Sequence, residues 1–281
     1  MERYWFGDLD GGRCSPAGSD PEALAGRIRA LGPELLIPDW RVAEECGAVS
    51  DRQEYLASLR AACIALARAR VAEELSAKDM ELLQMVRTLD EVDHVINLLL
   101  ERAVDWQAVI DPGFTRKYRR GGKALGGKIM RSRSPPLRQV GREIDALGEM
   151  RRRLARDVSR QADIVLPNTS ALVGGLVAAR LMAAAGGLAP LSRMPGATVQ
   201  VLGARSALFS HIRGSAPSPK HGVIFQHRRV HNAPKNLRGR VARVLAAKLV
   251  IAARIDYYRG EADEAFLEKA QARIDAAGES A

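Results

Sequence analysis

The amino-acid sequence predicts a mainly α-helical protein that begins with a small α/β domain. Apolar residues recur at spacings of three and four along most of the chain after residue 50, which is typical of amphipathic helices. Short β-prone runs bounded by turn residues occur near the amino terminus. Of the 281 residues, 47% are hydrophobic, so the chain is long and apolar enough to build two or three modest cores.

The first 48 residues are predicted to form the small α/β domain. The aromatic run from Tyr4 to Phe6 is β-prone and is followed by a glycine. Asp20 and the proline after it are typical of a helix start, and this helix should end at Gly32. A second short strand is expected at residues 35–37. Two short strands flanking one helix are therefore expected here.

Residues 49–163 are predicted to form an antiparallel helical hairpin. Ser50 should cap its first helix, and a heptad-like apolar seam then runs over residues 82–110. A second seam extends over residues 137–158. Such seams either pair with another copy or another helix, or form ordinary bundle core, and the pattern alone does not decide between these outcomes.

A basic segment at residues 114–142 connects the two seams. It contains ten Lys and Arg residues, five glycines and no acidic residue, and it includes Pro135 and Pro136. Glycine and proline in this density favour irregular structure. The segment is therefore predicted to be a flexible basic loop.

Charge is divided sharply along the chain. Residues 1–111 hold 12 basic and 21 acidic residues, residues 112–255 hold 28 and 5, and residues 256–281 hold 3 and 7. Residues 164–255 contain thirteen Lys and Arg and no Asp or Glu. This distribution is typical of a surface that contacts a polyanion. Nucleic acid is therefore the expected partner of the carboxyl-terminal half, and the alternative is an ordinary basic protein without an anionic partner.

Residues 164–260 are predicted to form a compact all-α domain, followed by an acidic tail at residues 261–281. Its expected elements are helices at residues 172–181, 199–212 and 238–258 and a loop rich in Pro, Gly and His at residues 214–236. Backbone N–H groups at Gly203 and Ala204 offer a helix start that can hold a phosphate. Lys220 and His221 lie beside a proline-stiffened turn, either as RNA contacts or as a solvated loop end.

Two motifs suggest metal or nucleotide chemistry, and both are incomplete. His227 and His231 have the spacing of a helical zinc pair, but Arg228 stands where the metalloprotease motif has glutamate. Residues 122–128 match the first seven positions of a P-loop, but Ile129 replaces the Ser or Thr that would hold magnesium. Catalysis by paired carboxylates is excluded within residues 164–255 because that segment has none. No catalytic residue and no metal site is therefore predicted.

Membrane insertion and secretion are not indicated by the sequence. No apolar run approaches the roughly 20 residues that cross a bilayer, and the first residues lack the basic-then-apolar pattern of a signal peptide. Cys14, Cys46 and Cys63 are odd in number and widely spaced, which favours reduced thiols over a disulfide framework. We therefore expect an intracellular protein with no membrane partner.

Several short motifs resemble one known family. They are Asn168-Thr-Ser-Ala-Leu-Val-Gly, Val201-Leu-Gly-Ala, Ala207-Leu-Phe, Pro219-Lys-His-Gly-Val-Ile-Phe-Gln-His and Arg238-Gly-Arg-Val-Ala-Arg. Together they resemble the Nop domain in its archaeal form, the core scaffold of box C/D small ribonucleoproteins. The resemblance is dense over residues 164–260 and extends more loosely to residues 79–106.

The resemblance implies a division of labour along the chain. The amino-terminal domain would dock the methyltransferase fibrillarin, the coiled coil would form a self-dimer, and the Nop domain would bind kink-turn guide RNA that carries a small ribosomal-type protein. The assembly would direct 2′-O-methylation of RNA in rRNA processing, in the archaeal cytoplasm. S-adenosylmethionine would be bound by fibrillarin, so the scaffold itself would need no cofactor and have no active site.

Nine residues are the candidates for contact with RNA and the ribosomal-type protein. They are Gly203, Ala204, Arg205, Lys220, His221, Gln226, Arg238, Arg240 and Arg243. Leu208 and Phe209 are expected either to pack in the core, the more usual fate, or to contact the small protein. The alternatives to a box C/D scaffold are the kink-turn scaffold of a different ribonucleoprotein and an RNA-modifying enzyme in its own right.

Three features of the chain depart from the family pattern. Arg205 and Ser206 stand where the family often has Glu-Lys, the amino-terminal domain is short, and the basic loop 114–142 replaces part of the coiled coil. The lysine contact would then be lost or taken over by Arg205, and the loop itself could touch guide RNA.

Overall fold

A computed structural model of the chain describes residues 2–32, 40–112, 114, 127–214 and 216–279. The chain divides into two compact units, Met1–Ala77 and Lys78–Ala281. Helices predominate, and the described strands form one small antiparallel sheet at the amino terminus, which confirms the predicted fold class. The predicted strand at residues 35–37 and much of the predicted basic loop lie outside the described residues.

The first unit packs three helices against a three-stranded meander. Its strands are β1 (Glu2–Tyr4), β2 (Gly7–Asp10) and β3 (Arg13–Pro16), and its helices are α1 (Pro21–Leu31), α2 (Trp40–Glu45) and α3 (Arg52–Leu75). The sheet order is β1-β2-β3. We assigned residues 52–75 to the hairpin, but α3 packs on α1 and belongs to this unit, which therefore extends to residue 77 instead of 48.

Trp5 and Phe6 form the turn between β1 and β2, so of the predicted strand residues 4–6 only Tyr4 lies in a strand, at the end of β1. Successive side chains of a strand point to opposite faces, yet both of these rings are buried in one core. Trp5 Nε1 lies 3.3 Å from the hydroxyl oxygen of Tyr55 on α3. The turn allows both rings to reach the same side, and burial of two large aromatic side chains outweighs continuation of the strand.

Cys14 and Cys46 form a disulfide, which corrects the expectation of three reduced thiols. Cys14 lies on β3 and Cys46 directly follows α2, and their Cα atoms are 5.2 Å apart. This separation lies within the usual range for a disulfide. A separation of 32 residues in sequence gave no sign of this proximity, and Cys63 on α3 is exposed with a free thiol.

The second unit begins with the predicted antiparallel hairpin, formed by α4 (Lys78–Ile110) and α5 (Pro135–Val165). The predicted loop ends earlier than expected, because residues 127–129 are helical and α5 starts at Pro135. Ile129 and Leu137 are fully buried against α4, and Ser134 caps α5 by accepting from the Leu137 N–H at 3.4 Å. Burial of these two apolar side chains orders the end of a segment whose composition favoured a loop.

The remaining helices surround one long central helix. They are α6 (Pro167–Val173), α7 (Gly175–Ala185), α8 (Leu188–Arg193), α9 (Gly196–Val201), α10 (Arg205–Arg213), α11 (Arg228–His231), the central α12 (Arg238–Tyr258) and α13 (Glu264–Glu279). The predicted acidic tail is instead largely this last helix, whose Ala270, Ile274 and Ala277 are buried in the shared core. The predicted helix 199–212 is interrupted at Gly203, which separates α9 from α10.

Asp256 is a buried carboxylate that holds the start of α6 against α12. It accepts hydrogen bonds from the backbone N–H groups of Asn168 and Thr169 at 2.8 and 2.9 Å. It also accepts from Asn168 Nδ2 at 2.8 Å and from Thr169 Oγ1 at 2.6 Å. The Asn168 amide in turn accepts from the Asp263 N–H and donates to the Glu261 carbonyl, both at 2.7 Å. Asn168 and Thr169 of the Asn-Thr-Ser motif therefore have a structural role in joining α6, α12 and α13.

Among the described residues, no single helix is both long and apolar enough to span a membrane. The pair α6 and α7 passes that test together on length and composition, although the two helices are bent by 119°.

Candidate nucleic-acid interface

The candidate site is built around residues 220–226, which lie between the α9–α10 junction and the start of α12. The Gly222 N–H donates to the Gln200 carbonyl at 2.9 Å, and the Val223 N–H donates to the Leu202 carbonyl at 2.8 Å. Gln200 Nε2 donates to the Lys220 carbonyl at 2.8 Å. These hydrogen bonds join two backbone segments as in a pair of β-strands, and they fix the position of residues 220–226 although no regular sheet is formed.

Gly203 and Gly222 allow this close approach. Gly203 has a φ of +84°, and a Cβ there would lie 2.5 Å from Val223 Cγ2. A Cβ on Gly222 would lie 1.9 Å from the Leu202 carbonyl oxygen. Both glycines are therefore required for backbone packing. We predicted that the backbone N–H groups of Gly203 and Ala204 can hold a phosphate. The Ala204 N–H instead donates to the Val201 carbonyl at 2.9 Å.

An aromatic and cationic stack joins residues 220–226 to α12. The His221 ring lies parallel to the Phe225 ring, with centroids 4.3 Å apart, and the Arg238 guanidinium lies 5.2 Å from the Phe225 centroid. Arg238 also donates to the His231 and Ala233 carbonyls at 3.1 and 3.2 Å. This stack fixes Arg238 with its charge beside the segment.

His221 is partly buried in this stack, and its charge depends on that environment. Burial, followed by the positive charges of Arg238 and Lys220, lowers the pKa of His221 below its ordinary value of 6.5. His227 has its pKa lowered by burial and by Arg228 and Arg229. Both lowered pKa values favour neutral rings in the folded protein.

Acid is expected to destabilise the protein through His221. The unfolded chain binds a proton near its ordinary pKa of 6.5, while the folded state resists that proton. The free energy of unfolding should therefore be lower at about pH 5.5 than at about pH 7.5, and His221→Phe should reduce this difference. Urea unfolding at both values tests it. His94→Phe, at an exposed position of α4, is the matched control, and an unchanged difference in His221→Phe would contradict the assignment.

Arg240 and Arg243 are exposed on α12, and Lys220 is exposed beside it. A Cβ on Gly239 would lie 3.8 Å from Lys220 Cδ, which places the lysine at the start of the helix. Within the described ranges, the basic residues of the acid-free segment 164–255 that pair with a carboxylate are Arg180 and Arg229. The exposed cations of this surface are therefore available to an external anion.

Gln226 lies at the opposite end of the segment, where Arg180 holds it. Arg180 Nη1 donates to Gln226 Oε1 at 2.8 Å, and the same guanidinium faces Asp90 and Asp93 on α4. Arg180 is a site residue that the sequence motifs do not reveal. The available signal in the sequence is that Arg180 lies among the apolar residues of α7, where a charged side chain needs a partner.

Helix α10 contains no buried residue, which contradicts the first of the two alternatives for Leu208 and Phe209, core packing. The second alternative, contact with the small protein, stays a prediction. Phe209 is 59% exposed and Ile212 is 70% exposed. The Arg213 guanidinium lies 5.9 Å from the Phe209 centroid, and Arg205 is exposed at the first position of the helix. Helix α10 therefore carries exposed apolar residues between Arg205 and Arg213, and it begins two residues after Gly203, which packs against Val223.

His227 and His231, the histidines of the zinc-like motif, have different surroundings in the described part of the chain. No group of three or more His, Cys, Asp and Glu side chains is placed to hold an ion there. His231 Nδ1 lies 3.0 Å from Asn232 Oδ1, and His227 precedes the first residue of α11.

Comparison with known proteins identifies the family. The Nop family model, described as a snoRNA binding domain, matches residues 120–276. A NOP5 family protein of Methanocaldococcus jannaschii is 29% identical over 273 residues, covering 84% of this chain and 66% of that protein. Nucleolar protein 58 of Candida albicans is 36% identical over 141 residues, covering 50% of this chain and 27% of that protein.

A solved structure agrees with the sequence comparison. A chain in the crystal structure of a fibrillarin/Nop5p complex is 31% identical, with a TM-score of 0.56 over 97% of both chains. This chain spans about two thirds of the archaeal relative and about a quarter of nucleolar protein 58. Because the family model covers more than half of the residues, the chain belongs to the Nop family.

Proposed function

We propose that this chain is a non-catalytic scaffold of a box C/D ribonucleoprotein that binds guide RNA and positions fibrillarin for 2′-O-methylation. The observation that carries the proposal is the cationic surface formed by residues 220–226 and the start of α12. Arg240 and Arg243 are exposed there, and the surrounding segment supplies no carboxylate. Arginine guanidinium groups suit phosphate contacts, and among the described residues neither Arg240 nor Arg243 pairs with a carboxylate.

The bound RNA is proposed to be a kink-turn that carries a small ribosomal-type protein. Phe209 and Ile212 of α10 are exposed, and α10 begins two residues after Gly203, which packs against Val223 of the 220–226 segment. An RNA alone would leave these apolar side chains in water, whereas a composite ligand would cover both surfaces. This arrangement supports a joint site for RNA and protein, in which Arg205 takes the place of the family's lysine contact.

The first unit is proposed to dock fibrillarin, which would supply S-adenosylmethionine and the methyl-transfer chemistry. Support comes from similarity across 97% of the chain to a protein solved in complex with fibrillarin. Val71 and Leu75 on α3 are more than half exposed and offer an apolar contact. Self-association through the hairpin is proposed for a similar reason, because Val109 of α4 is 81% exposed and Trp106 is 42% exposed.

Replacing both Arg240 and Arg243 by methionine should weaken RNA binding. We expect the affinity for a kink-turn RNA pre-bound to a small kink-turn-binding protein to fall about 10- to 50-fold at about 0.15 M salt. The slope of log Kd against log salt should decrease by about one for each arginine. Fluorescence anisotropy over a range of salt concentrations measures both quantities. Arg60→Met, at an exposed position on α3, is the matched control, and unchanged binding in the double variant would overturn the site.

A methylation assay separates the scaffold from an enzyme in its own right. The purified chain is incubated with guide RNA, target RNA and S-adenosylmethionine, with and without fibrillarin. We expect methylation only when fibrillarin is present. Product formed by the chain alone would overturn the scaffold proposal and favour the RNA-modifying enzyme.

A further inference from the structure

We infer that Arg180 is a positioning residue of the RNA interface, which fixes the Gln226 side chain so that its amide nitrogen faces the RNA as a hydrogen-bond donor. The inference rests on the proposed function and adds a residue outside the cationic surface. Arg180 lies on α7, and Gln226 ends the 3₁₀ turn Val223–Gln226.

The contact with Arg180 determines which end of the amide points outward. Arg180 Nη1 lies 2.8 Å from Gln226 Oε1. A guanidinium has only donors, and the amide has one acceptor atom and one donor group. Rotation of the amide by 180° would place its NH₂ group against a cation. The carbonyl oxygen is therefore held inward and the NH₂ group is left for an external acceptor.

Arg180 can hold Gln226 because other charges hold Arg180. Its Nη2 atom lies 3.5 Å from Asp90 Oδ1 and 3.8 Å from Asp93 Oδ2. Both carboxylate oxygens of Asp93 also accept hydrogen bonds from Arg151 of α5, from Nε at 2.6 Å and from Nη2 at 3.1 Å. The Arg180 side chain is 18% exposed, so the network connects α4, α5 and α7 to the 3₁₀ turn.

The network is electrically balanced, which separates the role of Arg180 from that of the exposed arginines. Two arginines, Arg151 and Arg180, face two carboxylates, Asp90 and Asp93. The positive charge of Arg180 is therefore neutralised locally and adds little to the potential that attracts phosphates. Its contribution to RNA binding is geometric, through the orientation of one neutral amide.

The chemistry of the partner atom follows from this orientation. An outward NH₂ group recognises a lone pair, such as that of an RNA phosphate, ribose or base oxygen, or of a base ring nitrogen. It cannot accept a hydrogen bond from a base amino group. Methylphosphonate substitution at single RNA positions distinguishes a phosphate partner, whose loss removes the effect of Gln226, from a ribose or base acceptor.

A double-mutant cycle tests the inference with kink-turn RNA pre-bound to the small kink-turn-binding protein. We expect Arg180→Met and Gln226→Met each to weaken binding about three- to tenfold, as for the loss of one hydrogen bond. The double variant should lose no more than either single variant. The slope of log Kd against log salt should stay unchanged in all three, in contrast to the loss of Arg240 and Arg243.

Controls separate positioning from simple loss of stability. Arg151→Met removes the other arginine of the network without touching Gln226, so it should leave RNA affinity nearly unchanged. Arg180→Lys keeps a positive charge opposite Asp90 and Asp93 but lacks the second arm of the fork, so it should lose affinity like Arg180→Met while remaining folded. Thermal unfolding identifies any variant that fails to fold.

Side-chain NMR gives a readout in the absence of RNA. The Gln226 NH₂ signals should show restricted motion in the wild-type protein and free rotation in Arg180→Lys. Additive losses in the cycle, or an amide that is equally mobile in both proteins, would overturn the inference alone. Failure of the wild-type chain to bind the RNA complex would instead overturn the proposed function.

Discussion

Asp256→Ala is expected to lower the free energy of unfolding by at least about 3 kcal/mol. The Asp256 carboxylate accepts four hydrogen bonds from Asn168 and Thr169 in a site that is only 3% exposed. Alanine would leave two backbone N–H groups and the Thr169 hydroxyl without their acceptor, and Asn168 Nδ2 would keep only the Glu261 carbonyl. Each buried group without an acceptor costs about 1–3 kcal/mol. Because α6 is anchored through these bonds, its first turn should also lose protection from hydrogen exchange.

Urea unfolding followed by circular dichroism measures this loss. Asp256→Asn keeps the size of the side chain and one acceptor oxygen but turns an NH₂ group toward other donors, so it should be intermediate. Asp157→Ala on α5 removes an exposed carboxylate paired with Arg160 and should change stability by less than about 1 kcal/mol. A loss in Asp256→Ala no greater than that of Asp157→Ala would mean that the buried hydrogen bonds are not formed.

Gly222→Ala is expected to disrupt the candidate interface more than any single charge substitution. The added Cβ would lie 1.9 Å from the Leu202 carbonyl oxygen and 2.7 Å from its carbonyl carbon. These are backbone atoms, so the clash cannot be relieved by rotation of a side chain. The segment must move away from α9, which breaks the bonds to the Gln200 and Leu202 carbonyls. We expect about 2–4 kcal/mol of destabilisation.

RNA binding should fall further in Gly222→Ala than in the double variant of Arg240 and Arg243, because Lys220, His221 and Gln226 move together. Binding is measured in the same anisotropy assay at a temperature where the variant is still folded. Gly148→Ala is the matched control, since its Cβ would meet only Arg152 Nη1 at 3.8 Å inside α5. That change should stabilise the helix by about 0.5–1 kcal/mol. Wild-type affinity in Gly222→Ala would show that the segment does not form the interface.

Apolar periodicity in the sequence predicted the fold class and the helical hairpin, because long amphipathic helices carry a repeating signal. The boundaries of helices and strands were harder to predict from the sequence wherever burial against residues distant in sequence outweighed the local composition. Trp5 and Phe6 look like strand residues, yet they form a buried turn because α3 supplies Tyr55. Ile129 and Leu137 lie in a glycine-rich basic run, yet they are buried against α4.

The candidate site was only partly accessible from sequence for the same reason. Gly203, Lys220, His221 and Arg238 were selected by residue type and motif, and their backbones and side chains do meet around residues 220–226. Arg180 is 46 residues from Gln226 in sequence, so nothing local connects them. The carboxylate that organises α6 is similarly distant, since Asp256 lies 88 residues after Asn168. Contacts of this range depend on tertiary packing.

The division of the chain into acid-free and acidic segments also determines which fragments of the protein can fold independently. Asp79 on α4 accepts from the Leu188 N–H at 2.7 Å and thereby caps α8. Asp256 holds α6, and Asp275 on α13 pairs with Arg229 at 2.6 Å. All three carboxylates lie in sequence outside the segment that they support.

A fragment of residues 164–255 would consequently lack every anion that organises its helix ends. An autonomous fragment has to keep the flanking helices, from about residue 78 to residue 279. The carboxylates that support residues 164–255 are therefore supplied by α4, by the end of α12 and by α13. Exchange of this region between related proteins should therefore succeed only when α4 and α13 are transferred with it.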